Sequence, residues 1–184
     1  MFRLLFIGDV VGETGCAAVW ALVPDLRREL GLDAVVANGE NSAPEGRGIT
    51  VDSGSTLLSV VDFVTLGDHA FEAEGAVEYL DREPRVVRPA NLDESRPGHG
   101  RGTFEAGDVR VGVANVQGRV LMQEDLRSPF EVADQAVADG SLRGRPRLGR
   151  RACRSHEREA GHGLSPGRQG SGRYMKSKTH TPRP

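Results

Sequence analysis

Three short stretches carry residue types suited to metal-assisted hydrolysis: Gly8-Asp9, "NGEN" at 38–41 and "GDH" at 67–69. Asp9, Glu40, Asn41, Asp68 and His69 together offer carboxylate, amide and imidazole groups. That mixture matches Mn, Fe or Zn better than a soft thiolate set would. Two metals bridged by a carboxylate clamp a phosphate and activate a water. Taken singly, each residue has an ordinary role. Asp9 caps a turn, Glu40-Asn41 opens a loop, Asp68 caps a helix over 70–80, and His69 is structural. It is their joint occurrence that points to a site. A further ligand-like triplet, Thr179-His180-Thr181, stands in a segment of different character.

The positioning elements follow from hydrophobic patterning. Continuous apolar runs at Leu4–Ile7, Ala34–Ala37 and Phe63–Leu66 each end at one of the three polar stretches, and a fourth run, Val109–Val116, ends at "QGR" (117–119). Short apolar runs bounded by Gly read as strands buried on both faces. Between them, residues 14–30 place Ala18, Leu22, Leu26 and Leu30 at helical spacing before Gly31, and residues 52–61, 72–80 and 129–138 are shorter helix candidates. Residues 93–102, "DESRPGHGRG", read as a loop. Alternating strands and helices predict an α/β layered fold. In open α/β sheets ligands gather at the carboxyl ends of strands, so the five site candidates should meet at one sheet edge. A nucleotide-binding alternative is weaker. Gly8, Gly12 and Gly15 are spaced G-x3-G-x2-G, neither a dinucleotide fingerprint nor a Walker loop.

A length of 184 residues bounds the chain to about one domain. Its net charge of −2 conceals a split: residues 1–140 hold 12 Arg and 24 acidic residues, whereas 141–184 hold 12 basic and 2 acidic ones. The basic segment contains no Val, Ile, Phe or Trp and so lacks material for a core; it is expected to be disordered. A domain boundary is therefore placed near residue 140. An acidic body with a basic arm also fits a different class, a non-catalytic protein making weak nucleic-acid contacts through that arm. Cys16 and Cys153 have neither zinc-type spacing nor the look of a disulfide framework. The apolar start is too short for a signal peptide or a membrane span. A cytoplasmic protein is expected, with no membrane partner and with homo-oligomerisation left open.

Six blocks in order, "FIGDVVGETG" (6–15), "NGEN" (38–41), "GRGIT" (46–50), "TLGDHAF" (65–71), "RPAN" (88–91) and "NVQGR" (115–119), resemble the YmdB-type calcineurin-like metallophosphoesterases from residue 1 to about 138. The resemblance implies a layered α/β/β/α sandwich, two divalent metal ions (Fe or Mn), and hydrolysis of phosphodiesters with 2′,3′-cyclic nucleotides as substrate class. By that analogy Asp9 binds the first metal, Glu40 bridges or binds at the shared position, Asn41 and residue 68 serve the second, and His69 gives a proton to the leaving oxygen. The family has Asn where this chain has Asp68; the added negative charge should weaken the metal as a Lewis acid. Arg88, Asn91 and Arg119 match family blocks and fit bracing roles. Three further histidine ligands, in a "HAEATSEK" block and a "HTH" pair, do not occur as written.

The genetic code bears on their absence. If the reading frame slips near 138–142, each intended codon takes the last two bases of one codon and the first base of the next. Ala152-Cys153 then permits His, His156-Glu157 allows only Thr or Met, Glu159-Ala160 only Lys or Arg, and His162-Gly163 only Thr or Met. The run from 152 to 164 permits H-A-E-A-T-S-E-K-x-A-M-G, and the junctions from Thr179 to Pro182 permit H-T-H, although the two blocks stand slightly far apart. On this reading Thr179-His180-Thr181 is the out-of-frame shadow of a metal-binding pair. The chain then carries the N-terminal part of the enzyme, is truncated, and is inactive or weak.

Overall fold

A computed structural model describes residues 1–120, 122, 126–138, 140 and 142. The basic segment expected to be disordered, and both decoded blocks, lie outside the described residues.

Four parallel strands, β1 (Leu4–Ile7), β2 (Ala34–Asn38), β3 (Phe63–Thr65) and β4 (Val86–Val87), form one sheet in sequence order. Two interior strands, β2 and β3, are buried throughout, as continuous apolar runs require; β1, at the sheet edge, is only half-buried. Side chains alternate between faces. Val35, Ala37, Val64 and Val86 meet residues of helices α1 (Gly12–Leu30), α2 (Val51–Leu58) and α3 (Ala76–Arg82). Ala34, Val36, Phe63 and Val87 meet the opposite layer, an antiparallel hairpin of β5 (Arg101–Ala106) and β6 (Val109–Ala114). Phe63 stacks on Phe104 with ring centroids 5.6 Å apart. A fourth helix, α4 (Pro129–Ala138), has the bounds expected from its pattern.

Three expectations need correction. The buried face of α1 is Cys16, Val19 and Val23, while Ala18, Leu22 and Leu30 are exposed. The reason is angular. Residues four apart drift by about 40° per step, so a stripe from 18 to 30 spreads over roughly 120°. Positions 16, 19 and 23 stay within about 60°. The fourth apolar run is not a strand buried on both faces. It alternates Val with Arg and Gly, ends at Ala114, and turns back on β5 through Gly107-Asp108, with Gly107 at φ 59 in the left-handed region this tight turn favours. Finally, the expected loop over 93–102 gives way to β5 from Arg101, a strand whose sequence "RGTFEA" has too little apolar character to stand out.

Candidate active site

Parallel pairing sends the carboxyl ends of β1, β2 and β3 to one edge. Asp9 lies just after β1, Glu40 and Asn41 after β2, and Asp68 and His69 after β3. Backbone bonds tie these turns together: Val10 N–H donates to Asn38 O at 2.9 Å, Gly12 N–H to Asn41 O at 2.8 Å, and Gly39 N–H to Thr65 O at 2.9 Å. Asp9 adopts φ 41, the left-handed region, which turns the chain sharply from strand to helix.

The structure brings all five candidates into one linked group. Asn41 Nδ2 donates to Asp9 Oδ1 at 2.7 Å, which orients the amide. Its Oδ1 then faces His69 Nδ1 at 2.8 Å and accepts from it, leaving Nε2 as the outward nitrogen. His69 Nδ1 also lies 3.4 Å from Glu40 Oε1, and Nε2 lies 3.7 Å from Asp68 Oδ2. One ligand atom from each of Glu40, Asp68 and His69 falls within 4.8 Å of the others. Asp9 joins this trio through Asn41. None of the site residues caps a helix: the cap positions of α1 and α3 are Val11 and Gly75.

Glu40 is the unusual member. It is 1% exposed, and its Oε2 is buried without a hydrogen-bond partner. Burial, with the Asp68 carboxylate next to it, pushes the Glu40 carboxyl up to about 8. Asp68 moves the other way, below the usual carboxylate range, because Glu40 hydrogen-bonds to it. The two observations agree. An ionised Oε2 has no donor to satisfy it, whereas a protonated Glu40 gives its proton to Asp68. A buried carboxyl that shares one proton with an exposed carboxylate is the setting in which a cation arriving from solvent would replace that proton.

Room for the Glu40 carboxyl depends on Gly67, where an added Cβ would overlap Oε2, Cδ and Oε1 of Glu40. Gly67→Ala is therefore expected to destabilise the protein by about 1–3 kcal/mol. Gly118→Ala, with nothing within 4 Å of the added carbon, should be near neutral, and thermal melts of the two variants compare them.

Two neighbours are not apparent from the sequence pattern. Glu72 Oε1 lies 4.0 Å from His69 Nε2, and Arg47 Nη1 lies 3.7 Å from Glu72 Oε2. The i,i+3 spacing of His69 and Glu72 is the one available signal for the first; Arg47 stands in the "GRGIT" block. Arg88 and Asn91 do brace loops. The buried Arg88 guanidinium donates to the carbonyls of Pro97, Pro89 and Arg96, and Asn91 bonds the backbone of Gln117 and Arg127. Arg119 Nη1 reaches Leu126 O at 3.4 Å. Among the described residues no helix is long and apolar enough to cross a membrane.

Comparison with known proteins gives the family. Residues 5–145 match the family described as YmdB-like protein. The chain is 37% identical over 142 residues to a 2′,3′-cyclic-nucleotide 2′-phosphodiesterase of Bacillus subtilis, covering 77% of this chain and 53% of that one. It is 26% identical over 140 residues to a putative phosphatase/phosphodiesterase of Mycoplasma genitalium, covering 73% of this chain and 48% of the relative. A crystal structure of a hypothetical protein from Thermus thermophilus superposes with a TM-score of 0.68 at 37% identity, over 75% of this chain and 53% of that one. The chain thus spans about half the length of the relatives it matches. With the parallel sheet, the hairpin layer and the clustered strand-end residues all in place, this chain belongs to the YmdB-like family.

Proposed function

We propose that this chain carries part of the site of a metal-dependent phosphodiesterase acting on 2′,3′-cyclic nucleotides or related phosphoesters. The observation that carries the reading is the buried Glu40 carboxyl, donorless at Oε2 and within ligating reach of Asp68 and His69. In this reading Asp9, Glu40, Asn41 and Asp68 hold divalent ions, Fe or Mn. When bound, such ions polarise the phosphoryl oxygens and lower the pKa of a water. The residues fit a hard cation: oxygen donors dominate, and one is desolvated and unpaired. His69 is the proton donor to the leaving oxygen. With Nδ1–H given to Asn41, Nε2, flanked by the Asp68 and Glu72 carboxylates, is the nitrogen from which the cationic imidazolium would release its proton.

Two features argue for weak activity in the chain as written. Asp68 adds a charge where the family has Asn, and the histidine-bearing blocks occur only out of frame. The shifted frame also meets a stop between the two blocks: Met175-Lys176 is ATG-AAR, which reads TGA there. Both blocks are decoded in that one frame, so the H-T-H reading needs two compensating changes between codons 164 and 179. Resequencing the gene should show a change of frame near codon 140; an uninterrupted frame would overturn this part.

The metal assignment is tested by titrating the full chain with Mn²⁺ under electron paramagnetic resonance. Weak uptake is expected, with Glu40→Gln and Asp68→Ala each reducing it by about 10-fold or more. Equal uptake by all three proteins would sink it.

A further inference from the structure

Helix α1 buries one stripe and leaves another bare. Ala17, Trp20, Ala21 and Pro24 stand exposed among the described residues, Trp20 to 58%. Their spacing, i, i+3, i+4 and i+7, puts them on one face, within about 100° of arc and turned roughly 120° from the buried Cys16, Val19 and Val23. An indole carries a large apolar surface that water solvates poorly, and here it stands among small neighbours in the middle of the helix. Two charges close the ends of the same face. Glu13 lies one turn before Ala17, and Arg28 lies one turn after Pro24. Both are exposed, and Arg28 is held at 2.9 Å by Asp25, also on the solvent side.

This order of residues is its own complement. Let two copies of α1 cross antiparallel about a two-fold axis between Trp20 and Ala21. Trp20 then meets Ala21 of the second copy, Ala17 meets its Pro24, and Glu13 meets its Arg28, and each of these contacts occurs twice. Each indole becomes a knob in a hole walled by Ala17, Ala21 and Pro24 of the other copy. The small alanines let the helices approach closely enough to bury it. Parallel pairing is disfavoured, since it would set Glu13 against Glu13 and Arg28 against Arg28. The face is acidic at one end, basic at the other and apolar between. It fits a surface with the same properties in reverse order, and a second copy of this chain supplies one.

We propose that α1 is the interface of a two-fold homodimer, with the Trp20 side chains packed across the axis and Glu13–Arg28 ion pairs at both ends. The strand-end sites lie at the amino ends of α1, so the antiparallel crossing sends them to opposite ends of the dimer and covers neither. A face of about four helical turns falls at the small end of specific interfaces. Dimer and monomer therefore exchange as the protein is diluted through the micromolar range. This reading does not rest on the hydrolytic one, and its test uses neither metal nor substrate.

The test is sedimentation of the full chain over a range of concentrations, read together with the fluorescence of Trp20, the single tryptophan of the chain. A monomer–dimer equilibrium is expected. Indole emission should move to shorter wavelength as the dimer forms and the ring leaves water. Trp20→Asp should abolish the dimer, with circular dichroism verifying that a change at this exposed position leaves the fold intact. Glu13→Arg and Arg28→Glu should each weaken association by about 10-fold, since either sets like charges together twice. The two changes in one chain should restore it to within about 3-fold. Leu22→Asp, at a position 59% exposed on another face of the same helix, should have no effect. A chain that stays monomeric throughout, with its emission unmoved, would overturn the proposal and leave the face to a different partner. So would association that runs past the dimer, a dimer that survives Trp20→Asp, one that Leu22→Asp disrupts equally, or a double charge swap that fails to restore it.

Discussion

The chain as written is expected to hydrolyse 2′,3′-cyclic AMP, with Mn²⁺ added, at least about 100-fold more slowly than a version whose reading frame is restored after residue 140. The described part of the site supplies carboxylates, one amide and one imidazole, and that imidazole is committed: Nδ1 is bonded to Asn41 at 2.8 Å. A two-metal centre needs enough donors on both ions to fix their separation and to hold a water between them. Carboxylates alone attract a cation but do not hold two in register, and each added negative charge repels an anionic phosphate. His156, His162 and His180 are the remaining imidazoles of the basic segment. They lie outside the described residues. The measurement is turnover of both proteins at matched metal. Equal rates would remove both the frame reading and the ligand assignment.

The second large effect is on stability. Glu40→Gln is expected to stabilise the protein without added metal by about 1–3 kcal/mol at pH 9, and to give almost nothing at pH 5. The sign is set by the raised pKa. In the folded chain the Glu40 carboxyl keeps its proton up to about 8, whereas an ordinary glutamate loses it near 4.5. Folding therefore binds a proton between those values, and stability falls as pH rises through that window. Above it, the folded state must bury a carboxylate whose Oε2 has no donor. Glutamine does not titrate and escapes this penalty. Thermal melts at the two pH values should separate by about 3–10 °C for the variant relative to the native chain at pH 9 only. Adding Mn²⁺ should reverse the order, because only the native chain gains from the ion. A variant less stable than the native protein at pH 9 would show that Glu40 serves the fold and not a cation.

Much of this arrangement is legible in the residues. Strands β1, β2 and β3 announce themselves because strands of a parallel sheet covered on both faces need apolar side chains on each, and each of these runs stops where a polar cluster begins. Asp9, Glu40, Asn41, Asp68 and His69 can be gathered from that rule alone, since parallel order sends every strand end to one edge. Other features give no such signal. β4 is only Val86–Val87, and β5 has one large apolar residue, Phe104, among polar ones; both exist because of the layers they touch. The buried stripe of α1 is hidden because Leu22 and Leu30 outweigh Cys16 and Val19 in hydrophobicity, and only packing decides between them. The strained turn at Asp9 and the space that Gly67 leaves for Glu40 are properties of three-dimensional closeness between distant segments.

The strand order β1-β2-β3-β4 carries a consequence for synthesis. Each new strand docks against the one made just before it, so loops closed at each step are short and local contacts dominate. The four-stranded layer is complete once Val87 has emerged, and the hairpin that covers part of its far face is complete at Ala114. Assembly to that point needs no residue beyond Ala114. An error in the later codons leaves the ribosome to release a partly finished layered body in place of an unfolded chain. The cell's quality-control machinery would meet packed layers, so the lifetime of such a product would follow the stability of those layers.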